Sequence, residues 1–226
     1  MSKLKIQFFF ILLFTFHLIN AQIDFQNGLT ITVSGPFTVD GIQIDESGDL
    51  AKTAHIKYNF VDYKKASLND SKELYDIRYN IFSDEMEFVK NGVLYFLNKK
   101  ENNIIYFPSI DKKYKVLSYD NQLHYFQLQI QGNYSFFIKE KVEYKEGKIA
   151  VTQFDKASTA KFNRLDNDYY LLRLGEELIE LESSKRKFLA MFGNKSATIK
   201  KYMKRNKLSR KEVEDLIKVF GYYNTL

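Results

Sequence analysis

Glu85-Met86-Glu87-Phe88-Val89-Lys90-Asn91-Gly92-Val93-Leu94-Tyr95-Phe96-Leu97-Asn98 is the stretch that decides the fold. Two runs of strand-forming residues flank the dipeptide Asn91-Gly92. A two-residue hairpin loop of type I′ needs positive φ at both central positions, and Asn-Gly meets that need better than other pairs. The spacing therefore predicts an antiparallel hairpin over 85–98.

Toward the N-terminus the same two-residue period continues. Tyr75, Ile77, Tyr79 and Ile81 share one face, with Asp76, Arg78 and Asn80 on the other. Ile56, Tyr58 and Phe60 read as another strand, with His55, Lys57 and Asn59 opposite. Residues 29–33 form a strand closed by Ser34-Gly35-Pro36, and a further one is expected in 41–48, ending in the turn Asp45-Glu46-Ser47-Gly48-Asp49.

Toward the C-terminus, 104–107 is a strand stopped by Pro108, and 114–119 turns at Asp120-Asn121 into 123–131. Gly132-Asn133 leads into one long strand over 134–144, which ends at Glu146-Gly147. Residues 148–167 read as an irregular surface loop, and 169–174 pairs with 178–181 through Gly175. The expectation is mainly β with an α appendage: an antiparallel meander folded as a sandwich or an open barrel.

At Ser184 the period changes. Phe188, Leu189 and Phe192 make a short amphipathic set stopped at Gly193, and Ser196 is placed to cap a helix carrying Ile199, Tyr202 and Met203. Ser209-Arg210-Lys211-Glu212 matches a capping box ahead of Val213, Leu216, Ile217 and Phe220, with Gly221 as the stop.

The first 21 residues have the layout of an export signal. Lys3 and Lys5 precede the apolar run Phe8-Phe9-Phe10-Ile11-Leu12-Leu13-Phe14, and Ile19-Asn20-Ala21 offers a cleavage point before Gln22. A membrane span needs about 20 apolar residues, and Gln7, Thr15, His17 and Asn20 interrupt this one. The expected organisation is a signal peptide over 1–21, a β domain over 22–183 and a helical appendage over 184–226, exported to the periplasm or exterior and free of a transmembrane anchor after cleavage. The chain has no cysteine, which excludes disulfides, thiolate metal sites, cysteine nucleophiles and a lipid-bearing cysteine at the cleavage point.

The net charge of +6 hides an asymmetry. Residues 184–226 hold twelve Lys/Arg against three Asp/Glu. Without Lys3 and Lys5 the remainder is +4, of which the tail contributes +9 and residues 22–183 contribute −5. Lys200, Lys201, Lys204, Arg205, Lys207, Arg210 and Lys211 crowd the junction of the two last helices. Two helices with a short connection resemble a helix-turn-helix, and phosphates attract clustered cations. Export argues against nucleic acid, which leaves an anionic envelope surface, another envelope protein or the acidic body as partner.

Asp84, Glu85 and Glu87 invite a carboxylate-dependent glycan hydrolase, which would need two acids across a cleft. Asp84 sits next to a turn, and the alternation of Glu85 and Glu87 with Met86 and Phe88 reads instead as the wet side of a strand. Asp45, Ser47 and Asp49 lack the full ligand run of a calcium loop. His55 and His124 belong to no zinc or serine-hydrolase pattern, and no Gly-rich phosphate loop occurs. Asn69, Asn133 and Asn194 open N-glycosylation sequons. No cofactor and no catalytic residue is expected. The paired rings Tyr95-Phe96, Tyr106-Phe107, Tyr125-Phe126 and Phe136-Phe137 put an aromatic on both faces of each strand. They serve core packing or, alternatively, line a groove for an apolar ligand.

The run Arg78-Tyr79-Asn80-Ile81-Phe82-Ser83-Asp84-Glu85-Met86-Glu87-Phe88, and the end from Asn206-Lys207-Leu208 through Asp215-Leu216 to Tyr222-Tyr223-Asn224, resemble uncharacterised exported proteins of Gram-negative envelopes. That resemblance implies an envelope setting and a β-rich body with a helical end. It implies no catalytic residue, cofactor or substrate.

Overall fold

The computed structural model describes residues 48–226 apart from 91, 151, 153, 155 and 174, and the backbone of four short strands before them. The segment over 1–21 expected to direct export, the turn expected over 45–47 and the first residue of Asn91-Gly92 lie outside the described residues.

The strands before residue 48 are β1 (Ile23–Asp24), β2 (Thr30–Val33), β3 (Thr38–Val39) and β4 (Ile42–Gln43). A helix, α1 (Gly48–Ala54), follows. The chain then builds β5 (Lys64–Leu68), β6 (Tyr75–Asn80), β7 (Glu85–Lys90), β8 (Val93–Leu97), β9 (Ile104–Phe107), β10 (Lys112–Tyr119), β11 (Gln122–Ile130) and β12 (Tyr134–Lys139). The small hairpin β13 (Val142–Lys145) and β14 (Lys161–Arg164) is followed by β15 (Asp168–Arg173) and β16 (Leu178–Glu180). Three helices close the chain: α2 (Lys185–Ala190), α3 (Ser196–Asn206) and α4 (Val213–Tyr223).

Ten of these strands form one antiparallel sheet in the order β8-β7-β6-β5-β9-β10-β11-β12-β15-β16, extended past β8 by β2 and β1. The sheet is curled into a half-barrel, so the open-barrel form of the expected meander is the one adopted. β5 makes the corner. Lys64 to Ala66 pair with β6, while Ser67 and Leu68 pair with β9. A register shift between Leu128 and Ile130 bends the sheet again, as an extra residue in one strand does.

The hairpins follow the turn chemistry of the sequence. Lys90 pairs with Val93, and Gly92 has φ +74°. Asp120 and Asn121 both have positive φ between Tyr119 and Gln122, which pair. Pro108 ends β9 as expected.

Several expectations need correction. Residues 55–60 are not a strand; His55–Lys57 is a 3-10 turn continuing α1, and Lys57 is buried. The turn expected at Gly48 and Asp49 is instead the start of that helix. The long strand over 134–144 breaks at Glu140, and part of the loop over 148–167 is β14, paired with β13. The capping box does not form. Glu212 is the N-cap without a side-chain bond, and Asp215 reaches back to accept the Ser209 N–H at 2.8 Å. Nor does Ser196 cap; it is the first residue of α3. Gly221 lies inside α4 rather than ending it.

Around β11 and β12 both faces of the sheet are covered, which accounts for the paired rings Tyr125-Phe126 and Phe136-Phe137. Tyr125 turns toward Tyr79 at 5.9 Å, and neighbouring Phe126 packs on Tyr170 at 5.0 Å across the curl. Phe136 faces the helices and stacks on Phe220 at 5.0 Å, while Phe137 joins the other face. Phe188, Phe192, Ile199, Leu216, Val219 and Phe220 fill the space between helices and sheet, each at most 1 % exposed. Each such side chain contributes roughly 1.5–3 kcal/mol of burial, so the helical tail is part of the core.

Candidate functional site

The acidic residues expected on a wet strand face lie instead in a buried polar centre. Asp84, at φ +55°, ends the β6–β7 turn and enters the gap where β12 peels away from β11. Its Oδ1 accepts the Tyr79 O–H at 2.7 Å, the Tyr125 N–H at 3.3 Å and a bond from Lys139 Nζ at 2.5 Å. Its Oδ2 lies 2.9 Å from His124 Nδ1 and 3.8 Å from Lys99 Nζ. Burial pushes the Asp84 carboxyl up, but the His124 bond and the Lys139 and Lys99 charges outweigh it and hold the pKa below its ordinary value. Burial pulls Lys139 down despite Asp84.

The neighbouring acids are likewise occupied. Glu85 pairs with Lys99 at 3.0 Å, and burial, opposed by Lys99, raises its pKa. Glu87 is 3 % exposed, bonded to Arg78 at 2.6 Å and to Asn80 at 2.8 Å. Glu140, at the break after β12, accepts from Tyr114 at 2.8 Å and from Asn59 and Arg164. These acids face amines, guanidiniums and hydroxyls rather than one another across a cleft. They are arranged to hold three strands and a turn together.

The basic tail presents a different surface. α2 carries Phe188 into the core and leaves Leu189 half-buried; α3 buries Ile199 and stacks Tyr202 on Tyr222 at 4.1 Å. Between α2 and α3 runs a groove of about 340 Å³. Phe188, Leu189, Met203 and Leu208 form its apolar floor. Its rim is cationic: Lys185 from α2, Lys200 and Lys204 one turn apart on α3, Lys207 at the helix end, and Arg210 from the connection to α4. Among the described residues no acidic one lines it. Among the described residues no ion pair engages any of these five cations.

Helix polarity accounts for part of this. Cations near a C-terminus are stabilised by the negative end of the helix dipole, and Lys204, Arg205 and Lys207 sit at the end of α3, where Lys207 takes the left-handed conformation. It does not account for Lys185, Lys200 or Arg210, which come from other positions and converge on the same floor. Five like charges repel one another, so an anion placed among them gains from all five.

Four of the seven residues singled out from sequence, Lys200, Lys204, Lys207 and Arg210, thus line one groove. Lys201 and Arg205 lie on α3 away from its lining, and Lys211 lines a neighbouring cleft with Asp166, Asp168, Glu180 and Glu182. Lys185 and the floor escaped the sequence reading. Their signal was Lys185 lying three and four residues before Phe188 and Leu189, one turn below them on α2.

Among the described residues no helix is long and apolar enough to cross a membrane, and no three His, Asp or Glu side chains gather as metal ligands. No known protein family, curated protein or solved structure matches the chain.

Proposed function

We propose that the protein is exported through its N-terminal segment and acts without catalysis at the cell envelope, where the α2–α3 groove holds an anionic amphiphile at a lipid surface. The observation that carries this is the groove itself: five cations that no ion pair engages among the described residues, around four apolar side chains. A simple polyanion would use the rim and leave the floor wet. An anionic lipid uses both, its phosphate against the ammonium and guanidinium groups and its acyl methylenes on the half-buried Leu189, Met203 and Leu208. The export reading supports this choice, since it places the protein beside membranes and away from nucleic acid.

The test is sedimentation with phosphatidylglycerol–phosphatidylcholine vesicles and with phosphatidylcholine alone. Binding to the first that weakens as salt rises, with little binding to the second, is the expected result. Equal partition into both, or into neither, contradicts the proposal.

A further inference from the structure

The β13–β14 hairpin is a short arm with a secure foot. Phe162 is fully buried, against Phe82 at 5.2 Å and Tyr144 at 5.6 Å, and its N–H donates to Thr53 Oγ1 of α1 at 3.0 Å. The two strands stay paired as far as Lys148 and Ser158, which exchange backbone hydrogen bonds of 2.8 and 2.9 Å. Gly147 permits that approach: a Cβ there would stand 3.0 Å from the Ser158 carbonyl and the Ala160 nitrogen.

Beyond this bridge the arm displays Ile149 at 90 % and Phe154 at 86 % exposure. The other large exposed hydrophobics among the described residues reach at most 53 %. Lys145, Lys148, Lys156 and Lys161 flank the tip, and no ion pair among the described residues engages them. Apolar side chains at the end of a braced hairpin, with four lysines around them against Glu146 and Asp155 in the same stretch of sequence, suit a boundary that is apolar inside and anionic at its surface.

The foot of the arm borders the cleft beside the groove. Phe188 and Arg210 line both the groove and the adjacent cleft, whose other side includes Glu140 and Arg164, the residues at the foot of the hairpin. We propose that Ile149 and Phe154 insert into the interfacial layer of the anionic bilayer that the groove engages, so that arm and groove grip one surface. This rests on the anionic-lipid reading of the groove and adds an apolar contact to it.

The chain has no tryptophan, so Phe154→Trp introduces a single reporter at an exposed position. On mixing with phosphatidylglycerol–phosphatidylcholine vesicles, its emission should shift to the blue and be quenched by lipids brominated along the acyl chain. Replacing both residues (Ile149→Ser with Phe154→Ser) should lower vesicle affinity roughly tenfold or more while leaving its salt dependence in place. If the reporter variant sediments with vesicles but its emission stays unshifted and unquenched, insertion is wrong and the groove reading survives. If emission shifts while reversal of Lys200 and Lys204 leaves affinity intact, insertion stands and the groove reading falls. Absence of any sedimentation overturns both.

Discussion

Asn224 closes both ends of its side-chain amide on the backbone of Tyr134: its Oδ1 accepts the Tyr134 N–H at 2.8 Å, and its Nδ2 donates to the Tyr134 carbonyl at 2.9 Å. The residue just past α4 is thereby fixed to the start of β12, and the Tyr134 and Tyr223 rings stack at 3.9 Å beside it. Gly132 leaves room for this, since a Cβ there would lie 2.8 Å from the Asn224 amide. The last residues of the chain hold the helical layer on the sheet.

Asn224→Ala removes two hydrogen bonds and leaves half-buried backbone groups to find water. A loss of about 1–3 kcal/mol is expected, read as a lower urea midpoint with an unchanged slope. Gly132→Ala should lower the midpoint as well, because the amide must move to admit the methyl group.

Asp84→Asn leaves Lys139 buried without its counter-charge. Losing one partner of such a pair costs about 3–5 kcal/mol. Adding Lys139→Met to the same chain should recover much of that loss, and a double variant no more stable than Asp84→Asn alone would refute the role given to Lys139.

The same carboxylate makes an acid limb. Its folded pKa lies below its ordinary value, so its contribution is present above the unfolded pKa of about 3.9 and disappears as pH falls through the folded value. Thermal melts of the native chain should therefore lose stability below about pH 4, and Asp84→Asn should flatten that part of the profile.

Arg78 donates through Nε and Nη2 to Glu87, through Nη1 to the Val61 carbonyl, and lies 3.7 Å from the centre of the Tyr58 ring. A lysine keeps the charge but has neither the planar fork nor the stacking face. Arg78→Lys is expected to cost about 1–3 kcal/mol, measured by chemical denaturation.

The proposed export and cleavage can be tested on the purified protein. Mass spectrometry of material recovered from an exporting host should give an N-terminus at Gln22, and an intact Met1 would remove the envelope setting on which the partner choice leans.

The hairpins were legible because their determinants are local: Gly92, Asp120 and Asn121 carry the backbone conformation that their turns need. Residues 48–60 were not. His55-Ile56-Lys57-Tyr58-Asn59-Phe60 alternates as a strand would, yet Asn59 is drawn into bonds with Tyr114 and Glu140 from distant strands, and Lys57 lies near the Phe162 ring. Tertiary contacts override the local period there. The capping box failed for a related reason: Asp215 takes the Ser209 N–H, so the helix starts three residues later than the motif suggests. The buried polar centre draws its members from a turn and several strands, and no sequence spacing marks it. The groove was half legible. Its cations stood out by charge, but which of them share a face depended on how α2 crosses α3.

That convergence supplies the central test. Lys200→Glu with Lys204→Glu reverses two charges on the groove rim; Lys201→Glu with Arg205→Glu makes the same change in net charge one position further along α3. In sedimentation with anionic vesicles at low salt, the first pair should lose more than about tenfold in affinity, each basic residue near such a surface contributing about 1 kcal/mol, and the second pair much less. Equal losses would show that the helix is attracted only by its overall charge, and would contradict the groove as the site.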